Sequence, residues 1–233
     1  MELKAEIERL STYLNKTKDD APFDCWDLSQ RGFNRSGIYP IYPWGSNEKS
    51  VYVHCNMDVA PRGWTMVQHR KSLTVNFTRG WQDYKNGFGT NAEFWLGNEI
   101  VHLLTSRHHN QLYIGIIDTN GSYLYQKYHF IRIGPESDKY RLHIEGPTTG
   151  DAGDFILRYN DTKSINNQRF TTFDNDNDNN AGNCATGSGG WWYNSCHYIA
   201  LNNDLNSPET VYQGRVPNMT YFRFSSMMIN RAP

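Results

Sequence analysis

Residues 173–184 read FDNDNDNNAGNC, with Asp174, Asp176 and Asp178 alternating with asparagines. If this stretch holds an ion, the late part of the chain is a folded subdomain. If it does not, the stretch is only a polar linker. The nearest common template, D-x-[DN]-x-[DN]-G-x5-E, fits from Asp174 through the first three acidic slots. Asn179 then stands where glycine is needed, and Ala185 where a bidentate glutamate is needed. The loop is not an EF-hand, yet three carboxylates so close together repel unless a cation or solvent screens them.

Around this loop, length, charge and aromatic content bound the class of protein. The 233 residues are enough for one large domain or a tight pair of small ones. Net charge is −1, from 23 basic and 24 acidic residues, and no Lys/Arg block occurs, which argues against nucleic acid or an anionic membrane as partner. Aromatic residues make up 14 % of the chain, a richness that suits loop-rich, sheet-containing domains and recognition surfaces. No apolar run reaches membrane-spanning length.

Cys25, Cys55, Cys184 and Cys196 form no CxxC pair, and histidines at zinc spacing are absent, so a metal role for the thiols is weak. An even count is compatible with two disulfides, and pairing by proximity in sequence gives Cys25–Cys55 and Cys184–Cys196. N-x-[ST] sequons at Asn15, Asn34, Asn76, Asn120, Asn160 and Asn218 point with the cysteines to a secreted protein. Met1 leads into MELKAEIERL rather than an apolar leader, so it is expected to begin a trimmed chain rather than the natural precursor.

Leu3, Ile7, Leu10 and Leu14, spaced four, three and four, predict a coiled-coil-like helix over residues 1–20 that ends before Pro22. The helix is either a solvated one packed on its own domain or the tail end of a longer coiled coil, which would make the protein a homo-oligomer. Beyond Cys25 the pattern changes to short strands: VYVHC (51–55), WTMVQHR (64–70), QLYIGIID (111–118), SYLYQKYHFIRIG (122–134), YRLHIEG (140–146) and FRFSSMMI (222–229). Apolar spacing predicts a helix over 91–106, NAEFWLGNEIVHLLTS, and residues 160–220 are expected to be mostly loops.

DCWDL and SGIYPIYPWG (24–45), WTMVQHR, WQDYKNGFG (81–89), EFWLGNEIVHLLT (93–105), YRLHIEG, FTTFDNDNDNNAGNC and GGWWYNSCH (189–197) together resemble the fibrinogen-like C-terminal domain of fibrinogen chains, ficolins, tachylectins and angiopoietins. The resemblance covers residues 24–231 and implies an α+β fold built on a central twisted antiparallel sheet. A small N-terminal subdomain (about 24–70) would precede the sheet (71–155 plus 221–231), with a loop-rich, calcium-binding subdomain at 156–220. It implies a Ca²⁺ site made of the Asp176 and Asp178 carboxylates and the Asn180 and Gly182 carbonyls, with Asp174 in a supporting position, capping a turn. Two carboxylates and main-chain oxygens suit a hard cation, and extracellular modules of this kind bind calcium at about 10⁻⁴ to 10⁻³ M.

In the lectin branch the neighbouring surface is a pocket for acetylated sugars. Carried over, its residues are His197, Tyr212 and a cis peptide between Ser195 and Cys196. Trp191 and Trp192 are expected to serve packing. The sequence departs from the lectins at Gly187, where they place an aromatic, and in a shortened stretch from His197 to Phe224. The expectation is a calcium-dependent lectin of innate immunity that binds acetylated glycans. The alternative, as in the fibrinogen and angiopoietin branches, is a module that binds a cell-surface or matrix protein. No HExxH, GxSxG or phosphate-cradling glycine loop occurs, so no enzyme activity is expected.

Overall fold

The computed structural model describes residues 21–46, 48–72, 74–118, 120–154, 156–158, 160–204 and 222–232. The expected coiled coil at 1–20, Tyr212 and the sequons at Asn15 and Asn218 lie outside them. The chain divides into two units, Met1–Thr65 and Met66–Pro233.

In the first unit, helix α1 (Cys25–Gln30) starts where side chains satisfy its open N–H groups. Asp24 Oδ1 accepts from the Asp27 N–H at 2.9 Å, and Asp27 Oδ2 accepts from the Phe23 N–H at 2.9 Å. Strands β1 (Gly37–Ile41) and β2 (Val51–Asn56) pair antiparallel, and β2 passes its register to the first residues of β3 (Trp64–Arg70) through Cys55 opposite Thr65. Alternation puts Tyr39, Ile41, Val53 and Cys55 inside while Ile38 and Tyr52 face out. The Cys25–Cys55 disulfide ties α1 to β2.

In the second unit the strand order is β3-β9-β6-β7-β8, with β6 (Asn110–Asp118), β7 (Tyr123–Ile133), β8 (Leu142–Gly150) and β9 (Phe222–Arg231). The pairs of β6 with β7 and β9, and of β7 with β8, are antiparallel, as the strand patterns predict. Leu112, Ile114 and Ile116 of β6 and Tyr128, Ile131 and Ile133 of β7 are buried. Helix α3 (Asn98–Ser106) adds Ile100, Val101 and Leu104 to the buried apolar side chains. It is fastened to β7 through Thr105 Oγ1, which accepts from the Ile133 N–H at 3.0 Å.

The predicted helix over 91–106 is shorter at its start. Phe94–Trp95 instead forms the short strand β5, which pairs with Gln68 and His69 of β3 and with β4 (Phe88–Gly89). Gly97, at φ 112° and with the Asn86–Gly87 backbone 2.9 Å from where a Cβ would stand, turns the backbone into α3. Helix α2 (Trp81–Asn86), not foreseen, follows Gly80. From Ile156 to Asp204 the described residues carry isolated bridges only, such as Thr171 with Trp191, as the expectation of loops requires.

Candidate functional site

Three parts make the site: a floor of aromatic rings, the acidic loop, and a disulfide-closed loop interlocked with it. Phe170 contacts Tyr84, Trp95 and Trp192 at centroid distances of 5.2, 6.0 and 5.1 Å. Trp192 also donates from Nε1 to the Tyr140 carbonyl at 2.7 Å. Trp191 and Trp192, 1 % and 2 % exposed, are packing residues, not surface contacts. Offset and edge-to-face ring pairs of this kind add to the stability that area burial gives.

Above this floor runs the acidic loop. Its first aspartate looks away from the others: Asp174 accepts from the Trp81 main-chain N–H and from the Thr172 hydroxyl at 2.7 Å. Gly80, the residue before α2, has no side chain to cap the helix, and a Cβ there would stand 2.6 Å from Asp174 Oδ2. The capping carboxylate therefore comes from another part of the sequence.

The other two aspartates lie together. Asp176 Oδ1 accepts from the Asp178 N–H at 3.3 Å, and Asp178 Oδ1 accepts from the Asn180 N–H at 2.8 Å. Asp178 Oδ2 reaches across to the Cys184 N–H at 2.9 Å. Burial, more than the repulsion of Asp176, pushes the Asp178 carboxyl above its ordinary value, although the Cys184 and Asn180 N–H groups pull it down. The Gly182 carbonyl accepts from Asn180 Nδ2 at 2.9 Å. Among the described residues no group of three His, Cys, Asp or Glu side chains forms a metal cluster. An ion at this loop would therefore need main-chain oxygens beside Asp176 and Asp178. The donor set fits that requirement: two hard carboxylates in mutual repulsion, with the Asn180 and Gly182 carbonyls on the same short turn.

The third segment is the loop closed by the Cys184–Cys196 disulfide. Asn179 joins it to the acidic loop, donating its N–H to the Asn194 carbonyl at 3.1 Å and its side-chain amide to Asn194 Oδ1 at 2.9 Å. The Ser195 hydroxyl donates to Asn180 Oδ1 at 3.2 Å. The Ser195–Cys196 peptide is cis. His197 is half-buried with its ring 5.2 Å from that of Tyr193. Tyr193 donates to Asn203 Oδ1 at 2.8 Å, and Asn202 donates to the Gly190 carbonyl at 2.9 Å. Residues 201–203 are in turn held to β3: Gln68 Nε2 donates to the Leu201 carbonyl at 3.1 Å and to Asn202 Oδ1 at 3.2 Å, and Arg70 donates to the Asn203 carbonyl.

Ser195 thus meets the acidic loop at Asn180 and Cys196 is tied to Cys184 at its end, while His197 packs on Tyr193. At Gly187, where the lectins carry an aromatic, a Cβ would meet open space, so no wall stands there among the described residues. Sequence reasoning did not anticipate Asn179, Asn194, Asn202 and Asn203 as the fasteners. The Asn-rich runs NDNN and LNND are the signal that was there to be read. Phe173, at the head of the acidic loop, was also overlooked, and its ring is 50 % exposed.

A family model described as "Fibrinogen beta and gamma chains, C-terminal globular domain" matches residues 21–227. Mouse angiopoietin-1 is 41 % identical over 192 residues, which are 80 % of this chain and 37 % of angiopoietin-1. Fibrinogen-like protein A of Apostichopus parvimensis is 39 % identical over 207 residues, 84 % of this chain and 70 % of that protein. The chain thus spans little more than a third of the angiopoietin it matches. Among solved structures, the fibrinogen-like globe domain of human ANGPTL6 superposes with a TM-score of 0.80 at 34 % identity, covering 94 % of this chain and all of that one. A lamprey fibrin D-dimer complexed with the peptide Gly-His-Arg-Pro-amide gives 0.78 at 29 % identity, covering 99 % of this chain and 82 % of that one. The protein therefore belongs to the family of C-terminal globular domains found in the fibrinogen beta and gamma chains.

Proposed function

We propose that the protein is a secreted, non-enzymatic recognition module that binds a cell-surface or matrix protein through the loop surface around residues 173–197. The observation that carries this reading is Phe173, a half-exposed ring at the head of a loop whose backbone is fastened by side chains. A rigid aromatic beside polar loop groups is the kind of anchor that carries most of the energy of a protein interface. The angiopoietin and fibrinogen relatives, and a related structure solved with a peptide ligand, support it further.

Ca²⁺ held by Asp176, Asp178 and the Asn180 and Gly182 carbonyls would fix the loop and quench its charge. Several heads joined through residues 1–20 would raise a weak single-site affinity.

The acetylated-sugar reading keeps His197, Ser195 and Cys196 in favour of it and open space at Gly187 against it. One experiment separates the two. Cell-surface proteins captured from deglycosylated extract are identified, and binding is measured with calcium, with chelator, with N-acetylglucosamine and with the Phe173→Ala variant. The protein reading expects roughly 30-fold weaker binding for Phe173→Ala, the effect of losing a hot-spot anchor. It also expects loss on chelation and indifference to the sugar. Competition by the sugar with no effect of Phe173→Ala replaces it with the lectin. Hydrolytic turnover abolished by Asp176→Ala would remove the non-enzymatic part.

A further inference from the structure

We infer that Asn34 carries an N-glycan whose first sugar folds back into a cleft of the N-terminal unit and becomes part of that unit's surface. The cleft, of about 390 Å³, is lined among others by Trp26, Phe33, Pro61, Gln30 and Arg62, and Asn34 itself forms part of its wall. That volume lies at the lower end of small-molecule sites, which run from about 300 to 1,000 Å³. Asn34-Arg35-Ser36 is a sequon, and Asn34 is both exposed and part of the cleft lining, so a glycan on it would start at the cleft.

The lining matches an N-acetylhexosamine in chemistry as well as in size. A pyranose presents a C–H face that packs on aromatic and proline rings, which Trp26, Phe33 and Pro61 provide. Its hydroxyls and acetyl carbonyl need donors, which the Gln30 amide and the Arg62 guanidinium carry. Phe33, directly before the asparagine, is braced edge-on against Tyr39 with centroids 5.6 Å apart. At the other end of the sequon the Ser36 hydroxyl donates to Asp58 Oδ2 at 2.6 Å and accepts from the Met57 N–H at 2.9 Å. The backbone on both sides of Asn34 is therefore held, and the sugar has a fixed starting point. A covalent tether makes even a shallow cleft sufficient, because a short linker sets an effective concentration in the millimolar range or higher, about 10⁻³ M.

The inference rests on the export proposed above, since only a chain that enters the secretory route meets the glycosylation machinery. The test uses the full-length protein secreted from mammalian cells. Glycopeptide mass spectrometry reads occupancy at Asn34, Asn76, Asn120 and Asn160, all exposed. Native peptide:N-glycosidase digestion then reads the release rate at each. Release at Asn34 is expected to be about tenfold slower than at Asn160, the factor a single aromatic contact gives. It should rise to the Asn160 rate in Trp26→Ala and in Arg62→Ser, the latter an exposed change that spares the fold. Equal rates at Asn34 and Asn160 in the unaltered protein, or an empty Asn34 beside occupied neighbours, overturns the inference and leaves export standing. Four empty sequons overturn the inference as well, whereas failure of the protein to reach the medium overturns export itself.

Discussion

The Trp81 main-chain N–H lies 2.9 Å from one Asp174 carboxylate oxygen and 3.2 Å from the other, so an aspartate 93 residues downstream caps helix α2. Three aspartates that look alike in sequence are thereby divided between two tasks. Asp174 fastens the loop to a helix, while Asp176 and Asp178 face each other. Asp174→Ala is expected to cost about 1 kcal/mol, as the loss of a helix N-cap does, and Asp174→Asn to recover most of it. Urea denaturation of the two variants checks this, and an unchanged midpoint for the alanine variant would refute the cap.

Asp178 joins the acidic loop to the disulfide loop through the Asn180 and Cys184 N–H groups. Asp178→Ala is expected to weaken calcium binding and to speed hydrogen exchange across residues 180–197 together, leaving β6 and β7 protected. Exchange that quickens over the whole sheet would mean that the loop supports the fold throughout. Calcium titration of Asp174→Ala supplies the contrast, with affinity expected to stay at the unaltered level.

Glu93 and Arg70, 1 % and 3 % exposed, form a buried pair at 3.8 Å. Glu93 also accepts from Ser72, Thr74 and the Val75 N–H. Burial pulls the Arg70 guanidinium below its ordinary value, which records how poorly that site tolerates an isolated charge. Glu93→Ala is expected to cost about 3–5 kcal/mol, because it strands Arg70 without its counter-charge. Replacing both with apolar residues should recover part of the loss, and thermal unfolding of the three proteins decides it.

Glu136 accepts from Lys85 Nζ at 2.6 Å and from Trp81 Nε1 at 2.9 Å, and these two bonds hold its carboxyl below the ordinary value. In the unfolded state the same carboxyl takes up its proton at higher pH. The stability it contributes is therefore complete above the ordinary glutamate range and lost as pH falls through the folded value. Asp138, held down first by Arg141, adds to the slope in the same direction. Between about pH 7 and pH 3 the unaltered protein should lose more stability than Glu136→Gln. Parallel slopes in denaturant titrations would show that the bonds do nothing for folding.

The strands were legible as runs of apolar and aromatic residues: QLYIGIID falls in β6, which is buried on both faces, and WTMVQHR coincides with β3. The start of the expected 91–106 helix failed for a related reason. Phe94 and Trp95 are apolar at positions that suit a helix, but they are buried in a two-residue strand, and Gly97 delays α3. Helix α2 left no local mark, since its cap lies far along the sequence. The same holds for the site. Acidic residues and cysteines announced themselves, whereas the bond from Cys184 to Asp178 and the anchoring of Asn202 by Gln68 exist only after folding. Short-range patterns report elements, while the fastening between elements is long-range chemistry.

Among the described strands β9 comes last in sequence, yet it sits between β3 and β6 in the ladder. While the ribosome is still working, β6 lacks one of its two partners, and its row of N–H and C=O groups stays open to any other polypeptide nearby. A truncation before Phe222 would therefore take away an interior rung rather than a loose tail. Completion of the sheet therefore waits for the synthesis of Phe222–Arg231.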